Sequence, residues 1–217
     1  MPPELAPTLF DYTLTDATDP LKCMSKAGAE KIFSFFKGQP LFRWQYSHNG
    51  CEARADAICI LLQQWNIPHY KAWVFSGDYL KKHIGGLIQH WNYHVAPALP
   101  VTENGQLVFY IIDPATASTL QTMEAWAAGI TQYPHSYHFI KLPHWYLFHQ
   151  KEIRPTNWYP RDRQNRKWMI QGLAGINGLT TTGKAQLSFN KSRIKRIAAA
   201  FERLKKEMPL QKNDIYR

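Results

Sequence analysis

Trp91-Asn92-Tyr93-His94-Val95-Ala96-Pro97-Ala98-Leu99 and Leu107-Val108-Phe109-Tyr110-Ile111-Ile112-Asp113 are two apolar, aromatic-rich runs joined by Pro100-Val101-Thr102-Glu103-Asn104-Gly105-Gln106. Asn-Gly between two such runs is a hairpin signal, so residues 91–99 and 107–113 predict adjacent antiparallel strands. In the first run Asn92, His94 and Ala96 share one face, and Trp91, Tyr93 and Val95 the other. In the second, Asp113 ends the face that carries Leu107, Phe109 and Ile111. A turn centred between Glu103 and Asn104 sets His94 directly opposite Asp113, with Cβ atoms ~5 Å apart. A turn centred on Asn104-Gly105 sets the pair on a diagonal of ~7–8 Å, still on one face. Either register lets a carboxylate meet an imidazole nitrogen.

Working outward, helices precede the hairpin. Ser25 caps a helix reaching about Phe36, with Gly38 as its stop signal. A second helix is expected from Cys51 to Trp65. Its Ile58, Leu61, Leu62 and Trp65 follow the spacing of an amphipathic stripe, and Asn66 with Pro68 ends it. Residues 70–75 read as a strand rich in aromatics, followed by a loop through Gly85-Gly86. Ser118-Thr119-Leu120-Gln121 is a capping-box start for a short helix ending near Gly129. Residues 137–142 and 145–149 are further strands, 151–191 an irregular basic stretch and 190–208 a closing helix. Helices followed by mainly antiparallel strands place the chain in the α+β class.

At 217 residues, with 45% hydrophobic and 14% aromatic content, the chain can bury a sizeable core, which excludes a disordered polypeptide. No apolar run approaches the ~18 residues of a membrane span. Met1-Pro2-Pro3-Glu4-Leu5-Ala6-Pro7 lacks the basic and apolar parts of a signal peptide, so the expected chain is cytoplasmic, exported by a dedicated route, or a mature secreted form. Three cysteines make no disulfide framework. Cys51 and Cys59, eight apart on one helix, stand roughly 12 Å from each other, too far to bridge. Cys23 could pair with either.

The net charge of +10 is lopsided. Residues 1–150 hold 10 Lys+Arg against 11 Asp+Glu, and residues 151–217 hold 16 against 5. The closing helix sets an apolar stripe (Ile194, Ile197, Phe201, Leu204, Met208) against Arg193, Lys195, Arg196, Arg203, Lys205 and Lys206. Docking on the core with a solvated basic face is the plain reading. An acidic protein partner, anionic lipid or nucleic acid is the sharper one, and no nucleic-acid motif supports the last. Three segments result: 1–40, an extension with one helix, structural or pro-like; 41–150, the core; and 151–217, a basic segment packed on it.

His94 and Asp113 form a base with an orienting partner, and such a pair calls for a nucleophile. In Ser47-His48-Asn49-Gly50-Cys51-Glu52-Ala53-Arg54-Ala55 a Gly-containing loop runs straight into the second helix. Unpaired N–H groups and the positive dipole end at a helix start favour a thiolate and can hold an oxyanion. Cys51 alone among the three cysteines has that setting. Each residue also has an ordinary structural role available: cysteine as apolar filler, histidine as a packed sheet residue, Asp-Pro as a strand stop.

Gly50-Cys51-x-Ala53-Arg54-Ala55, then Trp91-x-Tyr93-His94-Val95-Ala96, then Ile112-Asp113-Pro114 resemble the bacterial protein-glutaminase family in order and interval. The resemblance covers roughly residues 46–126, and Trp126 also looks like a family position. It implies a papain/transglutaminase-like core, a Cys51-His94-Asp113 triad, and deamidation of glutamine side chains in proteins or peptides. Trp91 and Tyr93, with Gly50 and Glu52 beside Cys51, become substrate-site candidates. Gln45, six residues before Cys51, stands at the offset where papain-like enzymes place an oxyanion donor. Glu52 stands in place of an aromatic residue and Asp56 in place of a histidine. Secreted members of the family carry a signal and a pro-segment, and neither is evident here.

The expected chemistry needs neither metal nor organic cofactor. His90 and His94 lack the Glu of a zinc-protease helix motif, and His135, His138, His144 and His149 have no Cys or acidic companions at ligand spacing. The same triad would also serve a transglutaminase or a cysteine peptidase. The reading from another class is a non-catalytic basic module that binds protein, nucleic acid or membrane.

Overall fold

A five-stranded antiparallel sheet, ordered β4-β3-β2-β1-β5, is built around the hairpin. The computed structural model describes residues 23–46, 50–76, 87, 91–131, 136–148, 152–156, 163–178 and 184–210. Ser47-His48-Asn49, Gly85-Gly86, His90, His135, His149 and residues 1–22 lie outside them. The strands are β1 Tyr70–Phe75, β2 Tyr93–Glu103, β3 Gln106–Ile111, β4 Gln121–Thr122 and β5 Tyr137–Lys141; β6 Trp145–Phe148 and β7 Glu152–Pro155 form a separate hairpin. The helices are α1 Lys26–Lys37, α2 Cys51–Gln64, α3 Met123–Ile130, α4 Arg163–Ile176 and α5 Lys184–Leu204, with a 3-10 turn at Pro40–Phe42. The α+β class is as expected.

The β2–β3 register pairs Ala98 with Ile111 and Glu103 with Gln106, so the turn is centred on Asn104-Gly105 and the register that sets His94 directly opposite Asp113 is not the one adopted. Asn104 and Gly105 have φ of 52° and 76°, the two positive values a tight primed turn needs. β2 also runs past Leu99, where the sequence reading ended it at Pro100. Proline is tolerated there because β1 ends opposite Ala98; on the vacated side of β2 the Met24 N–H donates to the Pro100 carbonyl at 2.9 Å.

Each face of the sheet carries its own core. On one face Leu99, Val101 and Tyr110 meet α1, α2, α4 and α5. On the other, Ala96, Ala98, Phe109 and Ile111 meet Met123, Trp126, Ala127 and Ile130 of α3. Ser25 caps α1, its hydroxyl oxygen accepting from the Gly28 N–H at 3.1 Å.

The remaining departures share a cause, which is tertiary packing. The capping box at Ser118-Thr119-Leu120-Gln121 does not start a helix: Gln121 and Thr122 pair with β3, and Thr122 caps α3. The stretch read as irregular contains β7 and the whole of α4. Helix α2 is not the one-sided helix its stripe suggested, since every residue from Ala53 to Leu62 is buried. Its outer side is covered by α4, which approaches so closely that a Cβ on Gly172 would stand 2.6 Å from that of Ala53. The closing helix begins six residues before Asn190 and stops at Leu204. All three cysteines are free thiols. Among the described residues no helix is long and apolar enough to cross a membrane.

Candidate active site

Among the described residues, no side chain caps the first amides of α2. The first bond of the helix runs from the Arg54 N–H to the Gly50 carbonyl at 3.0 Å, and Gly50, as N-cap, offers no side chain to the amides before it. Gly50 has φ 92°, in the left-handed region, and a Cβ there would overlap Cγ2 of Ile176 at the end of α4. Only glycine fits, on both counts. The half-exposed Cys51 follows at the first helical position and packs against Ala55, Trp73, Phe75 and Val95.

His94 is the second residue of β2. β3 stops at Ile111, opposite Ala98, so among the described residues no strand flanks His94 on that side, and its ring meets the chain leaving the sheet at Asp113. His94 Nε2 lies 2.8 Å from Asp113 Oδ2, in spite of the diagonal register. Cys51 stands close enough to the ring to help raise its pKa, and with Nε2 engaged by Asp113 the ring nitrogen left for it is Nδ1. Cys51, His94 and Asp113 line one narrow cleft together with Arg54 and Trp44.

The surroundings hold the pair rigidly. Asp113 Oδ2 also accepts from Trp126 Nε1 at 3.0 Å and from the Thr116 hydroxyl, while the Asp113 carbonyl accepts from the Thr116 and Ala117 amides. Trp91 lies parallel over the His94 ring, with centroids 4.5 Å apart and planes at 13°, and Trp126 is tilted against it at 5.7 Å. The sequence reading put Trp91 on the opposite face of the strand from His94. It precedes β2, which starts at Tyr93, so strand alternation does not govern it. Tyr93 stacks with Phe75 on the Cys51 side.

Burial alone would lower the His94 pKa, but the Asp113 charge, the hydrogen bond the ring donates to Asp113 and the nearby Cys51 outweigh it and carry it to about 10. Burial would likewise raise Asp113; the facing imidazolium, with the Thr116 and Trp126 donors, holds it below the usual carboxylate value instead. The ring is therefore an imidazolium at neutral pH. By contrast, burial pushes the Cys59 thiol up to about 12, an inert setting.

Glu52 keeps an exposed surface on the first turn of α2, yet the protein crowded round it desolvates its carboxyl and raises the pKa against a hydrogen bond from Tyr93. Asp56 is buried in an ion pair with Lys71 at 2.6 Å, and Lys71 lies 3.8 Å from the Tyr146 ring centroid. Gln45 is exposed in the turn after the 3-10 segment and is not among the side chains lining the Cys51 cleft.

Two residues of the site went unassigned in the sequence reading. Arg54, 4% exposed, donates through Nε to the Phe42 carbonyl at 2.8 Å and through Nη2 to the carbonyls of Arg43, at 3.0 Å, and Tyr46. It pins the loop that enters the site. Thr116 supports Asp113 from the turn after Pro114. Arg54 was visible as a charge three residues into a mostly apolar helix, a signal that it must find buried acceptors.

A family model described as glutaminase matches residues 29–130, which contain Cys51, His94 and Asp113. No curated protein matches the chain. Among solved structures, a mutant of pro-protein-glutaminase is 19% identical, with TM-score 0.53, over 74% of this chain and 60% of that one. The unmutated pro-protein-glutaminase is 18% identical, with TM-score 0.49, over 69% and 59%. The chain thus spans about 60% of the length of the structures it resembles. The first likeness shows the fold, and the glutaminase family model spans the three cleft residues while matching just under half of the chain.

Proposed function

We propose, from the glutaminase family match and the likeness in fold to pro-protein-glutaminase, that the chain is a cysteine amidohydrolase converting glutamine side chains of proteins or peptides to glutamate. The observation that carries the reading is the His94 ring, bonded to Asp113 through Nε2 and lining one cleft with Cys51 at the start of α2, whose N-cap Gly50 supplies no side-chain cap.

Cys51, as thiolate, attacks the carboxamide carbon, and the Cys51 N–H receives the developing oxyanion. The tetrahedral adduct collapses as the His94 imidazolium protonates the departing nitrogen, so ammonia leaves and a γ-glutamyl thioester remains. Neutral His94 then takes a proton from water as its oxygen attacks the thioester carbon. Breakdown releases glutamate and restores the thiolate and the imidazolium. Asp113 keeps Nε2–H turned to itself and stabilises the charged ring, and Trp91 shields its face. Glu52 and Tyr93 border the nucleophile, where the atoms flanking a substrate glutamine would lie. The substrate is an exposed glutamine on a protein, and an acidic partner meeting the basic residues of 151–217 belongs to the same reading.

The test is product analysis with cysteine variants. Ammonia release from a glutamine-rich protein should vanish in Cys51→Ala and persist in Cys59→Ala. Equal activity in the Cys51 variant would remove the nucleophile. Incorporation of a supplied amine, or shortening of the substrate chain, would replace hydrolysis of the side-chain amide with the transglutaminase or peptidase reaction.

A further inference from the structure

Helix α5 leaves a groove of about 450 Å³ between itself and the 3-10 turn. Its floor is apolar, with Leu41, Ile197 and Leu204, and its wall carries Arg193, Arg196 and Arg203. Arg193 is occupied by the Gly178 carbonyl. Arg196 and Arg203 are exposed, and among the described residues neither has an acidic partner. Seven residues apart, they stand on one side of the helix about 10 Å from each other. Asn177 closes one end, donating to the Leu41 carbonyl at 2.9 Å. Its chain neighbour Ile176 fills the space beside Gly50, which precedes Cys51.

We propose that this groove is an exosite that receives an acidic, partly apolar segment of the substrate protein, a proposal that rests on the deamidase reading above. Two guanidiniums ~10 Å apart, without an acidic partner among the described residues, match carboxylates two turns apart on a helical segment, and each offers a planar fork for one of them. The recessed apolar floor takes side chains between the carboxylates. Glu207 shares the groove and opposes a continuous polyanion, which disfavours nucleic acid, while localised carboxylates can avoid it. The core carries almost no net charge, so recruitment of acidic substrates falls to this side of the molecule.

The experiment compares the full chain with R196E/R203E and R196K/R203K on three probes. These are a synthetic peptide with one glutamine and a glutamate-rich amphipathic stretch, the same peptide with serine for glutamate, and a blocked glutaminylglycine. Ammonia release gives kcat and KM, and fluorescence anisotropy of the labelled acidic peptide gives Kd without turnover. In R196E/R203E, KM and Kd for the acidic peptide should rise about tenfold at low salt with kcat unchanged, and the difference should fade by ~0.5 M salt. The serine peptide and the dipeptide should be untouched, and R196K/R203K should stay near the parent. An unchanged Kd for the acidic peptide, or an equal loss on all three probes, would overturn the exosite. So would a gain on the dipeptide, which would mean that an acidic stretch of this chain itself had filled the groove. If no probe releases ammonia while the tenfold difference in Kd persists, the deamidase reading fails and the acidic-peptide site stands.

Discussion

Replacing Asp113 by Asn removes one charge from the buried pair while leaving an oxygen that can still accept from Trp126 Nε1 and Thr116. The loop after β3 therefore keeps its main tethers, and the change falls on His94. Folding carries His94 from 6.5 to about 10, equivalent to roughly 5 kcal/mol in favour of the charged ring. Asp113 provides the largest opposition to the burial that would otherwise lower it. Without that charge burial dominates, and His94 should titrate below 6.5 and be neutral at pH 7. An imidazole already neutral cannot protonate the departing ammonia, and the Nε2–H loses its anionic anchor. Loss of general-acid catalysis and orientation should lower kcat by about a thousandfold, near 4 kcal/mol of barrier, with KM little changed. Ammonia release gives the rate, and nitrogen-resolved NMR of the imidazole across pH gives the titration of His94 directly. A variant whose His94 stays charged above pH 7, or whose kcat falls by less than about tenfold, would refute the assignment of Asp113 as the group that charges and orients the ring.

Three further outcomes follow from the same geometry. Gly50→Ala should lose about 2–5 kcal/mol in urea unfolding, from the left-handed backbone and the overlap with Ile176, and much of the overlap should disappear in an Ile176→Ala background. Because folding raises His94, its stabilisation is complete below pH 6.5 and is lost as pH rises through about 10; the stability difference between the parent and His94→Gln should shrink across that window. Arg54→Lys keeps the charge but not the fork to Phe42, Arg43 and Tyr46, so kcat should fall about tenfold with a small change in Tm, whereas Arg54→Ala should lose about 3 kcal/mol because the buried Phe42 carbonyl loses its donor and those of Arg43 and Tyr46 lose a shared one.

The three cleft residues were legible in the sequence because each announces itself locally. Gly50 before an apolar helix marks a sharp entry, alternation puts His94 on a defined face, and Asp113-Pro114 marks a strand end. The register was less legible, since Asn104-Gly105 and Glu103-Asn104 were both admissible centres and only the positive φ of Asn104 and Gly105 decides between them. Arg54 and Thr116 escaped assignment because their partners are backbone carbonyls and a carboxylate brought near by folding, which no spacing rule reports.

Local pattern thus determined that this chain has a helix starting at Cys51, an Asn-Gly hairpin beside it, and a basic C-terminal third. Propensity, alternation and turn chemistry act over a few residues, and all three speak for those features. Only the tertiary structure decided that α4 encloses α2, that Ile176 forbids a side chain at Gly50, and that the early end of β3 opens the space in which His94 meets Asp113. Those are contacts between segments far apart in the chain, and their energies depend on shape and burial that exist only once the layers have assembled.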